Sequence, residues 1–239
     1  VFPLKDTIPC SIFPIFNYLL IITCTLAFFG ELSVGDQGLN PFIDTWGLVP
    51  AHLIAHPDVG EIETIFTSMF LHGGWGHLLG NMWFLYIFGD NVEERFGHFF
   101  YPIFYLFCGC CAALAQVFIN PDSNVAMIGA SGAISGVLGA YFIFYPQARV
   151  LTLIPLGVFT RIMEVPAILF LGLWFLMQFF TGVSALAISS AGEETGGVAF
   201  WAHVGGFVAG VVIALFMPKP GYSESAYYDH PKYYRDSPY

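Results

Sequence analysis

Ser131 stands in the run Gly129-Ala130-Ser131-Gly132-Ala133-Ile134-Ser135-Gly136, at the head of an apolar stretch long enough to cross a bilayer. Glycines two before it and one after it leave its hydroxyl on a bare backbone, the setting of a nucleophile more than of packing. The partners such a serine needs lie elsewhere in the chain: His203 in another apolar stretch, and His77 and Asn81 in a third. A serine hydroxyl is a weak nucleophile until a base takes its proton, and His203 is the candidate base. No Asp or Glu lies in these stretches, so the pair would be a dyad and not a triad. The tetrahedral intermediate of acyl transfer also needs hydrogen-bond donors. The Asn81 amide, the His77 ring and the Ser131 backbone N–H are the candidates, Asn81 being the natural neutral donor.

The elements that must position these groups follow from composition. Of 239 residues, 56% are hydrophobic and only 10% charged, and the mean hydropathy is +0.70. Soluble domains carry roughly 25% charged residues. The chain therefore reads as an all-α membrane protein of several spans. Apolar segments at 11–29, 71–88, 99–119, 128–145, 165–183 and 198–217 are each long enough for a hydrocarbon core of about 30 Å. Open strands cannot span lipid and nothing alternates over ten-residue units, so the six spans are read as helices. The five cysteines read as small apolar residues, not as ligands or a disulfide framework. No cleavable signal peptide is evident before the first span.

The basic residues orient the bundle. With a cytoplasmic N-terminus, the inside segments 1–10, 89–98, 146–164 and 218–239 hold all 7 Lys and Arg. The outside segments 30–70, 120–127 and 184–197 hold none and carry many of the acids. This split places both termini in the cytoplasm. The domain layout is then a cytoplasmic N-terminal segment at 1–10, a six-span domain at 11–217 and a polar, disordered tail at 218–239. The first outside loop is long, and part of it reads as a short amphipathic piece at the interface.

Ser131, His203 and His77 fall at similar depth, about 5–10 Å below the outer boundary at 1.5 Å per residue. Asn81 is one turn deeper than His77 on the same face. Glycines explain how the helices could meet. Gly132, Gly136 and Gly139 form a stripe on the fourth span and Gly206 and Gly210 another on the sixth, with His203 one turn above Gly206. Packing such stripes lets backbones approach closely and brings Ser131 within reach of His203. Gly129 is grouped with these close-packing glycines.

These residues resemble the rhomboid intramembrane serine proteases. The resemblance rests on His72-Gly73-Gly74-Trp75-Gly76-His77-Leu78-Leu79-Gly80-Asn81, on Glu93-Glu94-Arg95-Phe96-Gly97, on Gly129-Ala130-Ser131-Gly132, and on Ala202-His203-Val204-Gly205-Gly206 with Gly210. It implies a six-transmembrane-helix bundle with a long loop between the first two helices. It also implies Ser131 as nucleophile, His203 as base, and His77 and Asn81 in the oxyanion hole. The expected substrates are single-pass transmembrane proteins, cut within the lipid bilayer without metal or cofactor. A bacterial-type inner (cytoplasmic) membrane is the expected location, and no nucleic-acid partner is expected. Glu93 and Arg95 match a turn read as structural. A water-filled cavity above the dyad is expected to be lined by Trp75, His77, Asn81 and Trp201. The fifth span and the following Gly-rich loop, with Gly182, Gly192, Gly196 and Gly197, would form a gate and cap.

Two departures stand out. Ser135 occupies a position where some relatives carry a Tyr against the catalytic imidazole, so another group, such as a different aromatic, must orient the ring. The first outside loop also lacks the Trp-Arg pair of many relatives, although Trp46 is present. Other readings compete. His52 and His56 at i, i+4 with Glu61 and Glu63 could hold Zn²⁺, but no His-Glu-x-x-His motif is present. A transporter would want intramembrane acids or broken helices in paired repeats. A catalytically silent scaffold, or an accessory subunit of a larger membrane complex, is the alternative from a different class. The presence of both Ser131 and His203 weighs against the scaffold.

Overall fold

Pro14 has no N–H to donate and ends the polar N-terminal segment where the first long helix begins. A computed structural model describes residues 2–156, 159–189 and 199–218. In chain order these form β1 (Phe2–Asp6), α1 (Ile15–Ser33), α2 (Gly35–Trp46), α3 (Pro50–Ala55), α4 (Val59–Thr67), a 3₁₀ turn at Ser68–Phe70, and α5 (Trp75–Phe96). Then come α6 (Phe100–Ile119), α7 (Ser131–Phe144), β2 (Arg149–Leu156), β3 (Phe159–Pro166), α8 (Ala167–Ser189) and α9 (Phe200–Phe216). The Gly-rich segment 190–198 and the tail from 219 onward, expected above as a cap and as disordered, lie outside the described residues.

Helices occupy the predicted spans, but not all of them have the length and hydropathy to cross a membrane. Three described helices can cross a membrane by length and composition: α1, α6, and α8 over Ala167–Ala185. α7 and α9 are apolar but shorter, and α5 carries Asp90, Glu93, Glu94 and Arg95 in its last turns. α7 sits at the centre. Every residue from Gly132 to Tyr141 is buried, with α5, α6, α8 and α9 around it. A helix apolar all round can be surrounded in this way, and its glycines and alanines let the neighbours come close.

The all-α expectation needs correction. β1, β2 and β3 form a three-stranded antiparallel sheet, with Phe2 opposite Leu153 and Asp6 opposite Val150, and Leu156 opposite Phe159. The segments read as an N-terminal tail and an inside loop are thus one structure. The sequence hid it because β1 and β2 are far apart in the chain, and β2 reads as a near-continuous apolar run interrupted by Pro155.

The segments that carry the described basic residues meet at one end of the bundle. Trp83 Nε1 donates to the Pro3 carbonyl at 2.7 Å, Asn91 Nδ2 to the Ile8 carbonyl at 3.3 Å, and Arg95 to the Pro218 carbonyl. At the other end the first long connection, folded as α2 to α4, pairs with the approach to α7: Leu48 and Met127 exchange backbone hydrogen bonds of 3.1 and 2.7 Å. Leu48 and Leu53 pack with Ala113 and Val117 of α6, while the amphipathic residues Trp46 and Ile54 stay exposed.

Glu93 explains how α1 is tied to α5. With Pro14 at its N-cap, α1 has no side-chain cap of its own. The buried Glu93 carboxylate accepts from the Phe16 N–H at 3.1 Å and the Asn17 N–H at 2.7 Å. An anion at a helix N-terminus satisfies orphan donors and opposes the positive dipole end.

Candidate active site

Three features bring the chain to Ser131. The Gly129 N–H donates to the Ser68 carbonyl at 2.8 Å. Gly129 has φ +125°, and a Cβ there would lie 2.7 Å from Cε1 and Nε2 of His77. Gly129 is therefore a turn residue against the His77 ring, not a helix-packing glycine as its grouping with the stripe had it. Ser131 then opens α7, so its N–H is one of the first-turn donors that has no partner within the helix.

The stripes on α7 and α9 do meet. A Cβ on Gly206 would overlap the Gly132 carbonyl oxygen, and one on Gly210 the Gly136 carbonyl oxygen. This close approach sets Ser131 Oγ 2.8 Å from His203 Nε2. On the far side of the ring, His203 Nδ1 lies 2.7 Å from Oε1 of Gln178, a buried residue of α8. An amide oxygen only accepts, so Nδ1 carries the proton and Nε2 presents its lone pair to the Ser131 hydroxyl. The Trp174 ring, one turn before Gln178, lies 6.0 Å from the imidazole at 37°. An aromatic thus stands beside the ring although Ser135 occupies the position discussed above. The Ser135 hydroxyl donates back to the Ser131 carbonyl at 2.6 Å.

His77 and Asn81 face the same space from α5. The Gly73 N–H donates to His77 Nδ1 at 3.3 Å, which puts the His77 proton on Nε2 and makes that atom a donor. Asn81 Nδ2 is buried and has no hydrogen-bond partner among the described residues. Behind His77, the His72 ring sits edge-on at 5.2 Å. Its Nδ1 meets the Phe70 carbonyl at 3.1 Å, and its backbone N–H donates to the Glu31 carboxylate at 3.0 Å.

Ser131, His203, His77, Asn81, Trp174 and Gln178 all line one cavity of about 550 Å³. Of the four residues expected in its wall, His77 and Asn81 are there. Trp75 instead packs edge-on against Phe28 at 5.0 Å, and Trp201 against Phe179 at 5.7 Å. Each ring's apolar neighbours hold it away from the polar wall. His52 and His56 are exposed at the end of α3. Such a site can move a proton from a hydroxyl to an imidazole and offer neutral donors to a developing oxyanion.

Gln178 and Trp174 were missed by the sequence reading. The available signal was a polar amide one turn after a tryptophan in an otherwise apolar span, where a polar side chain is costly and calls for a partner.

A family model described as the rhomboid domain matches residues 59–220. The chain belongs to the rhomboid family. With its apolar helices, this rhomboid is a membrane protein. It is 32% identical over 158 residues to the chloroplastic rhomboid-like protein 11 of Arabidopsis thaliana, covering 64% of this chain and 51% of that protein. It is 29% identical over 211 residues to the rhomboid protease GluP of Bacillus subtilis, covering 87% of this chain and 36% of that protein. Rhomboid protein 1 of Saccharomyces cerevisiae mitochondria is 25% identical over 193 residues, or 79% of this chain and 51% of that protein. The rhomboid chain thus spans about half or less of the length of these curated relatives.

Proposed function

We propose that this rhomboid is a serine endopeptidase that cuts peptide bonds in the transmembrane segments of single-pass membrane proteins. The observation that carries the reading is the 2.8 Å contact of Ser131 Oγ with His203 Nε2 in a cavity that also holds a buried amide donor with no partner among the described residues. In the reaction, the Oγ proton passes to Nε2 as Oγ attacks the scissile carbonyl carbon. Asn81 Nδ2, His77 Nε2–H and the Ser131 N–H donate to the oxygen that becomes negative. The imidazolium returns the proton to the departing amine, and water, deprotonated by the same nitrogen, releases the acyl group. The protease name of the Bacillus subtilis relative agrees with this reading.

The layout goes with it. The domain at 11–217 crosses the bilayer six times, with both termini cytoplasmic in a bacterial-type inner membrane. α7 has 14 residues, about 21 Å of helix at 1.5 Å per residue, against a hydrocarbon core of about 30 Å. Its first residue, Ser131, therefore sits below the outer face. Non-helical backbone at 127–130 is tolerated at that depth where it lines a cavity.

A fluorophosphonate serine probe on the detergent-solubilised chain tests this, beside Ser131→Ala and His203→Ala. Label on the native chain and on neither variant is expected. A folded native chain that neither takes the label nor cleaves a transmembrane substrate would leave the scaffold or accessory-subunit reading in its place.

A further inference from the structure

We infer that Gln178 is a positioning residue for the dyad, and that α8 thereby controls whether His203 can act as a base. The inference rests on the proposed protease reading and adds a residue to it.

Three observations carry it. The first is tautomer selection. An imidazole with its proton on Nε2 would donate to Ser131 Oγ and could not take its proton. Gln178 Oε1, 2.7 Å from Nδ1, accepts a hydrogen bond only from the tautomer that leaves Nε2 bare. The second is that no carboxylate among the described residues competes for the ring. Around the ring stand Ser131 of α7, Trp174 and Gln178 of α8, and, across the cavity, His77 of α5. α7, α8 and α9 contain no Asp, Glu, Lys or Arg. A neutral amide dipole is therefore what meets the proton on Nδ1, and it avoids the cost of burying a carboxylate.

The third is where Gln178 comes from. α8 meets the bundle through one face, on which Phe170, Leu171, Trp174, Phe175, Gln178 and Gly182 recur at three- and four-residue steps. Its other faces, with Leu169, Leu173, Leu176, Met177 and Phe180, are exposed. Trp174 and Phe175 seat this helix on Phe207 of α9, at 6.3 and 4.7 Å between ring centroids. The amide that meets the base is thus carried on a helix that also walls the cavity. A displacement of α8 from α9 would take the Nδ1 acceptor away from His203. The reactive tautomer is held while α8 is docked.

The test uses the full chain in detergent, with Gln178→Met to keep the volume and remove the acceptor, and Gln178→Glu to keep the acceptor and add charge. The readouts are the fluorophosphonate labelling rate against pH, the ¹⁵N spectrum of histidine-labelled protein, and the thermal midpoint as a folding control. Gln178→Met is expected to label on the order of ten- to hundred-fold more slowly, as loss of an orienting partner typically does, with the His203 signals moving from one tautomer to a mixture. Gln178→Glu is expected to restore the tautomer and to move the acid limb of the rate profile to higher pH, because a carboxylate favours the imidazolium. A Gln178→Met chain that labels at the native rate with an unchanged spectrum overturns the inference and leaves the dyad intact. Equal losses in both variants with the native pH profile also overturn it, since they report packing alone. A folded native chain without label removes the parent reading and this one together.

Discussion

Gly206 faces the carbonyl oxygen of Gly132 so closely that no side chain fits between them. Gly132 directly follows Ser131, and His203 lies one turn before Gly206. The helix contact and the 2.8 Å dyad contact are therefore the same geometric fact, seen one residue apart on α7 and one turn apart on α9. Gly206→Ala must push α9 off α7. Overpacking of this kind costs about 1–3 kcal/mol, and a misplacement of about 1 Å can cost on the order of a hundred-fold in rate. A folded chain with a lowered thermal midpoint and about a hundred-fold slower fluorophosphonate labelling is expected. Gly30→Ala, at a position where a Cβ meets nothing within 4 Å, is the control. Native labelling by Gly206→Ala would show that the stripe does not set the dyad.

Asn81 offers a prediction of opposite sign for stability. Its Nδ2 is buried and has no protein partner among the described residues, and a buried donor left unpaired costs about 1–3 kcal/mol. A group kept at that cost makes sense where its partner exists only during reaction. Asn81→Ala is expected to leave the thermal midpoint level or higher, while the labelling rate falls on the order of a hundred- to a thousand-fold, the usual loss for an oxyanion donor. A variant that unfolds early while its folded fraction reacts normally would make Asn81 a strut between helices.

The parts of this site that the sequence exposed share a property. Ser131, His77, Asn81 and His203 are polar residues in apolar runs, and the glycines near Ser131 and His203 mark where backbones touch. Gln178 has the first property but not the second, and a neutral amide does not announce itself as an acid or base. Gly129 looked like one more packing glycine because its positive φ is a consequence of the turn, and the turn depends on Ser68, distant in sequence. The sheet was illegible for a related reason. β1 finds its partner across most of the chain, and its register with β2 shifts between Pro3 and Lys5. Trp75 and Trp201 were misplaced because their side chains follow the apolar rings nearby, not the polar wall one turn away.

Glu93 separates stability from chemistry. Its carboxylate accepts from the first turn of α1 and from His98, and it is fully buried. It is twelve positions beyond Asn81 on α5, about 18 Å along the axis. Glu93→Ala leaves the Phe16 and Asn17 N–H groups without their acceptor, at a cost of about 1–3 kcal/mol for each buried donor stranded. A lower thermal midpoint is expected, with Glu93→Gln between the two, while the labelling rate per folded molecule stays at the native value. A slowed rate in fully folded Glu93→Gln would mean that the far end of α5 reaches the site.

Asp6 gives stability a pH dependence that is independent of the dyad. It ends β1 opposite Val150 and accepts a hydrogen bond from the Tyr141 hydroxyl. Burial raises its carboxyl from 3.8 to about 7; the Tyr141 hydrogen bond opposes that shift and the nearby Asp90 adds to it. The folded chain thus holds a proton that the unfolded chain releases. Between about pH 4 and pH 7 the folded state binds more protons than the unfolded one, so stability is greatest below that window and falls as pH rises through it. A single such group sets a slope of at most about 1.4 kcal/mol per pH unit. The thermal midpoint in detergent should therefore decline from pH 4.5 to pH 7 by more in the native chain than in Asp6→Asn. The amide keeps an oxygen for the Tyr141 hydroxyl and has no proton to lose, so Asp6→Asn should also be the more stable chain at pH 8. Parallel curves for the two chains would place the titrating group elsewhere, with Asp90 the next to test.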